Sequence, residues 1–170
     1  MILGMSESTF TLLHVVLSLI GIFSGAVVLF GMLGSKRFAG WTALFLATTV
    51  LTSVTGFFFP RDQILPSHIV GVISLVVLAV AILALYVYRL AGAWRWVYVA
   101  SAVLALYLNV FVGVVQAFLK VPFLNELAPN QNEPPFVLAQ GVVLVVFVAL
   151  GIWAVKSFRP QGKGSALSPA

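Results

Sequence analysis

Long apolar runs separated by short polar breaks set the pattern of the chain, with a period far longer than the two or four residues of soluble strands and helices. The runs cover 9–33, 41–59, 66–90, 94–119 and 135–155. Each is close to the roughly 20 residues that carry an α-helix across the hydrocarbon core of a bilayer. The pattern predicts an all-α membrane bundle of five transmembrane helices. The breaks carry helix-ending and helix-starting residues: Gly34 and Ser35 after the first run, Pro60 after the second, Pro66 opening the third, and Glu133-Pro134-Pro135 opening the fifth. Residues 1–159 are expected to form one domain, and the Gly/Ser/Pro-rich stretch 160–170 a flexible cytoplasmic tail. No internal repeat is evident, and five helices do not divide into two equal halves, which weighs against an inverted-repeat transporter.

Composition agrees with the pattern. Apolar residues make up 62% of the 170 positions and charged residues 8%, where soluble domains carry about 25% charged residues. Mean hydropathy is +1.15. The formal charge of +5 forms no continuous basic patch, because the cations are scattered between apolar runs, so nucleic acid is not an expected partner. The absence of cysteine excludes disulfides, thiolate metal sites, thiol catalysis and covalent attachment of a c-type haem. The first residues, MILGMSESTF, lack a basic stretch and a small-x-small cleavage pattern, so the first run is expected to be a retained helix.

Charge then decides the expected orientation. With the N-terminus outside, Lys36, Arg37, Arg89, Arg95, Lys156, Arg159 and Lys163 are cytoplasmic, while only Arg61 and Lys120 are external. Positive residues concentrate on the cytoplasmic side of membrane proteins, so this count predicts an external N-terminus and a cytoplasmic C-terminus. Glu7, Asp62, Glu126 and Glu133 all fall outside on the same reading, and Trp41, Trp94, Trp96 and Trp153 all fall at inner helix ends. The expected location is the cell's inner (plasma) membrane.

Depth and face single out the candidate site residues. His14 lies about 8 Å below the outer boundary, counted at about 1.5 Å per residue, and His68 lies at the outer start of the third helix. Helical spacing gathers small and polar residues into stripes: His14, Ser18, Gly21 and Gly25 on the first helix, and Thr48, Thr52 and Thr55 on the second. Ser67, Gly71 and Ser74 mark the third, with His68 beside them, and Ala102, Ala105, Asn109, Gly113 and Gln116 the fourth. Gln140 lies near the outer end of the fifth. Amide and imidazole groups facing lipid are costly, so these stripes are expected to turn inward as a polar layer in the outer half of the bundle.

The lead expectation is a non-enzymatic multi-pass protein. Its outward-facing polar pocket, of His14, Ser18, Thr55, His68, Asn109, Gln116 and Gln140, would bind a small-molecule or lipidic ligand, or the protein would act as an accessory subunit of a larger membrane complex. Each group would act as a hydrogen-bond donor or acceptor. The alternative is a single b-type haem electron-transfer protein with His14 and His68 as axial ligands, since two neutral imidazoles at similar depth suit one iron. No Asp or Glu lies inside a helix, which disfavours an ion-coupled pump, and no hydrolase or nucleotide motif stands at a credible position. Asp62 and His68 make only a weak carboxylate–imidazole pairing. The outer connection 119–135, KVPFLNELAPNQNEPP at its core, is expected to be an ordered connector lying along the membrane surface, with a lid over the polar layer as the alternative.

Overall fold

In the computed structural model, residues 2–59 and 66–160 are described, 66 and 67 by backbone alone. The helices are α1 (Glu7–Leu33), α2 (Ala39–Gly56), α3 (Pro66–Ile82), α4 (Trp94–Lys120), a short α5 (Pro122–Leu127) and α6 (Pro134–Ser157). Five of them are long and apolar enough to cross a membrane, the third as His68–Val87. The expected connection 119–135 contains α5, a helix of six residues. The proposed Asp62–His68 pairing involves a position outside the described residues, as does most of the tail.

Local chemistry explains the helix ends. Ser6 caps α1 by accepting a hydrogen bond from the Thr9 amide at 3.2 Å, and Glu7 favours the positive end of the helix dipole. Beyond Gly34 the chain turns sharply through Ser35 at φ 56°. Two prolines, Pro134 and Pro135, open α6, where a missing N–H costs nothing. The third span does not run as a plain α-helix to residue 90. A π-helical turn, Leu83–Val87, ends it, and Arg89, Leu90 and Gly92 follow at positive φ. Within this turn Ala84 and Leu85 are both buried in the core, and Tyr88 stacks on Trp94 with centroids 3.7 Å apart.

Packing divides the bundle into unlike halves. One end carries Lys36, Arg37, Arg89, Arg95, Lys156 and Arg159, and is called the basic end; the opposite end carries His14. The apolar core lies in the basic half, where Val28, Leu29, Met32, Phe45, Leu46, Leu78, Leu85, Tyr98, Val99 and Leu106 are buried together. Ala81, Ala84, Ala102 and Ala105 belong to the same buried cluster, and α3 packs against α4. Helix α4 packs against α1, α3 and α6, and it is the central element. Helix α6 is peripheral, buries only Ala154 within its length, and is fastened at the basic end: Arg95 donates from Nη1 to the Phe158 carbonyl. The Arg159 amide donates to Ser35 Oγ at 2.9 Å and ties the same point to the end of α1.

Candidate polar site

The site grows from the antiparallel register of α1 and α2. His14 Nδ1 lies 2.8 Å from Thr55 Oγ1, a Cβ on Gly21 would sit 3.1 Å from Thr49 Oγ1, and one on Gly25 would sit 2.8 Å from the Phe45 ring. These pairs step evenly along the two helices, so the register sets Ser18 opposite Thr52. The result is a polar seam from the His14 end to the middle of the bundle: His14 with Thr55, Ser18 with Thr52, then Gly21 with Thr48 and Thr49. Beyond it Gly25 is closed by Phe45 and Leu106, leaving no room for a water molecule.

Several hydroxyls in the seam are occupied by their own helix. Ser18 donates to the His14 carbonyl at 2.8 Å, Thr48 to the Leu44 carbonyl at 2.7 Å, and Thr55 to the Leu51 carbonyl at 2.7 Å. Thr55 Oγ1 also lies 2.8 Å from His14 Nδ1; with its one proton directed to the Leu51 carbonyl, it accepts from a His14 ring that carries a proton on Nδ1.

At the inner end of the seam the balance is different. Asn109, on α4, is 9% exposed and Thr49 1% exposed, and Asn109 Nδ2 and Thr49 Oγ1 have no hydrogen-bond partner. Both flank Gly21: a Cβ there would lie 2.9 Å from Asn109 Nδ2. Thr52 Oγ1, one turn further towards the His14 end, is a third buried atom without a partner. Buried polar groups are nearly always paired, so this cluster of unsatisfied atoms offers donors and acceptors to a guest.

The expected pocket residues do not all converge. His14, Ser18 and Thr55 share the α1–α2 seam, and Asn109 closes it from α4. His68 instead stacks on Phe57, with centroids 5.8 Å apart and planes 20° from parallel. Gln140 bridges α6 to α4 by donating from Nε2 to the Phe111 carbonyl at 3.1 Å, while its Oε1 is buried without a partner. Gln116 stands exposed, off the buried face of Ala102, Ala105 and Asn109. Near the end of α4 it is Phe118 that turns inward, because α5 and Phe136 fold over it.

The two imidazoles meet different residues at the end of α2. His14 is held against Thr55 and Phe59, whereas His68 lies flat on Phe57, about 200° around α2 from Thr55 at about 100° per residue. Each ring has its own place on the α2 terminus.

Thr49 was not among the expected residues, although it lies four residues after Phe45 and three before Thr52 on one helical line. Arg95, read from sequence only as a topology signal, holds the end of α6. The connector carries α5, and hydrogen bonds tie it to α4. Pro122 has no N–H for the Phe118 carbonyl, which accepts from Asn125 Nδ2 at 3.2 Å instead, and Gln131 donates to the Val115 carbonyl at 2.9 Å. No family model, no curated protein and no solved structure matches this chain.

Proposed function

We propose that the protein is a non-enzymatic multi-pass membrane protein of a cell's inner membrane, with its N-terminus outside and its C-terminus cytoplasmic. The α1–α2 seam receives the oxygen-bearing group of a small or lipidic ligand from the outer leaflet, either in the isolated bundle or as an accessory subunit of a membrane complex. The observation that carries this reading is the pair of buried, unpartnered atoms beside Gly21, Asn109 Nδ2 and Thr49 Oγ1. A carbonyl oxygen would accept from the first, and a hydroxyl would serve either. The apolar closure at Gly25, Phe45 and Leu106 supports binding rather than passage, since a polar path stops there.

The test is native mass spectrometry of protein purified in mild detergent, beside an Asn109→Leu variant of matched volume. Wild type is expected to carry a small oxygen-bearing molecule that the folded variant lacks. Equal occupancy of the two proteins, or no bound molecule in wild type, would overturn the reading. A stabilised but empty Asn109→Leu protein is the expected companion result, because removing an unsatisfied buried amide relieves its desolvation cost.

A further inference from the structure

A second feature lies in the other half of the bundle, and it does not depend on the polar seam. Between helices α4 and α6, in the basic half, lies a lateral groove of about 420 Å³. Val103 and Tyr107 line one side, Val148, Gly151 and Ile152 the other, and Lys156 stands at the end of the groove. Val148 is 52% exposed and Ile152 53% exposed, so the groove opens sideways towards the bilayer. A Cβ on Gly151 would come within 3.4 Å of Val103 Cγ1; the glycine lets the two helices touch at the groove floor.

We propose that this groove seats one acyl chain of an anionic phospholipid, with the Lys156 ammonium paired to the headgroup phosphate. Length supports the fit. The α6 lining runs from Leu144 to Lys156, about 18 Å at about 1.5 Å per residue, which is close to one leaflet of a hydrocarbon core about 30 Å thick. An acyl chain lying along the groove therefore brings its headgroup to the level of Lys156. Charge supports it as well. Lys36, Arg37, Arg89, Arg95 and Arg159 share this end with Lys156, while Glu7, Glu126 and Glu133 lie at the opposite end. Among the described residues no carboxylate stands at the basic end to pair with Lys156, which is exposed. An anionic lipid supplies both the charge and the apolar tail.

Nanodiscs holding equimolar phosphatidylglycerol and phosphatidylcholine provide the test, with retained lipid counted by native mass spectrometry after release. Wild type is expected to keep the anionic lipid about fivefold over the zwitterionic one, the worth of one basic side chain near a charged membrane surface. Lys156→Ala should remove the preference, and Lys120→Ala, at the other end, should leave it intact. Val148→Trp should displace the retained lipid by filling the groove, with Ile152→Trp as a second block if circular dichroism shows the first to be unfolded. Equal retention of the two lipids by wild type would overturn the proposal, and so would an undiminished preference in Lys156→Ala. A dimer that excludes lipid from the groove would overturn it too, by assigning the face to a second copy of the chain.

Discussion

At the scale of single residues, the steps of the seam differ: His14 and Thr55 are hydrogen-bonded, while Thr52, Thr49 and Asn109 each bury an atom without a partner. A methyl group on Gly21 would press on Asn109 Nδ2 at 2.9 Å and on Thr49 Oγ1 at 3.1 Å, so both side chains would have to shift. Gly21→Ala is therefore expected to destabilise the bundle by about 1–3 kcal/mol, the usual cost of overpacking a closed interface, read as a shift in unfolding in detergent. An unchanged transition would mean that the α1–α4 contact is looser than described. At the other end of the seam, with its proton directed to the Leu51 carbonyl, Thr55 is the acceptor for His14 Nδ1 at 2.8 Å. Thr55→Val removes that acceptor, and interhelical hydrogen bonds in membranes are worth about 0.6 kcal/mol on average. The sharper readout is the imidazole itself: nitrogen NMR should show the proton on Nδ1 in wild type and a tautomer mixture in the variant. A wild-type ring protonated on Nε2 would refute the assigned donor.

At the scale of elements, the connector between α4 and α6 shows how polar groups hold a segment that buries little. Phe123 is 67% exposed, so apolar anchoring is weak, and amide bonds to α4 carbonyls take its place. Glu133 then closes the turn before α6, accepting from the Asn130 side chain at 2.9 Å, from the Asn130 amide at 3.2 Å and from the Asn132 amide at 3.1 Å. Partial dehydration pushes its carboxyl up, but these hydrogen bonds outweigh that effect and hold its pKa below the ordinary value of 4.5. A carboxylate with a depressed pKa contributes its stabilisation above the unfolded value and loses it as pH falls through the lower folded value. Hydrogen exchange in 128–133 should accordingly quicken below about pH 4.5 in wild type. In Glu133→Gln it should be faster at neutral pH and nearly independent of pH after correction for the intrinsic rate; a parallel acid response in the variant would assign the effect to another group. This ordering was only partly legible in the sequence. The prolines announced a break, but the link between Pro122, the stranded Phe118 carbonyl and Asn125 depends on how the chain folds back over α4.

At the scale of the whole molecule, the spans were legible because a bilayer demands long apolar stretches, and the 9–33 and 94–119 runs differ from α1 and α4 by no more than a turn at either end. Faces were harder to read. His14, Ser18 and Thr55 lie together as their stripes suggested, yet Gln116 leaves its stripe, and on α6 Gln140 is the one polar mark of the side that meets α4 in an otherwise apolar span. Rotation about a helix axis is set by neighbours. The asymmetry that results, a hydroxyl- and amide-bearing half above a closed apolar core with a basic rim, makes orientation the property on which both proposed sites depend. Positive residues favour the cytoplasmic side, so the basic end should face inward and the His14 end outward. The cysteine-free sequence allows a direct measurement, because any introduced thiol is the only one in the chain. In intact cells a membrane-impermeant maleimide should label Ser8→Cys, at the start of α1, and spare Ala91→Cys, in the exposed turn between the π-helical segment and α4, until the membrane is opened. The reverse pattern would place the polar seam on the cytoplasmic side and the phospholipid groove in the outer leaflet. In that arrangement the basic rim would face away from the anionic cytoplasmic surface, and the electrostatic argument for Lys156 would fail with it.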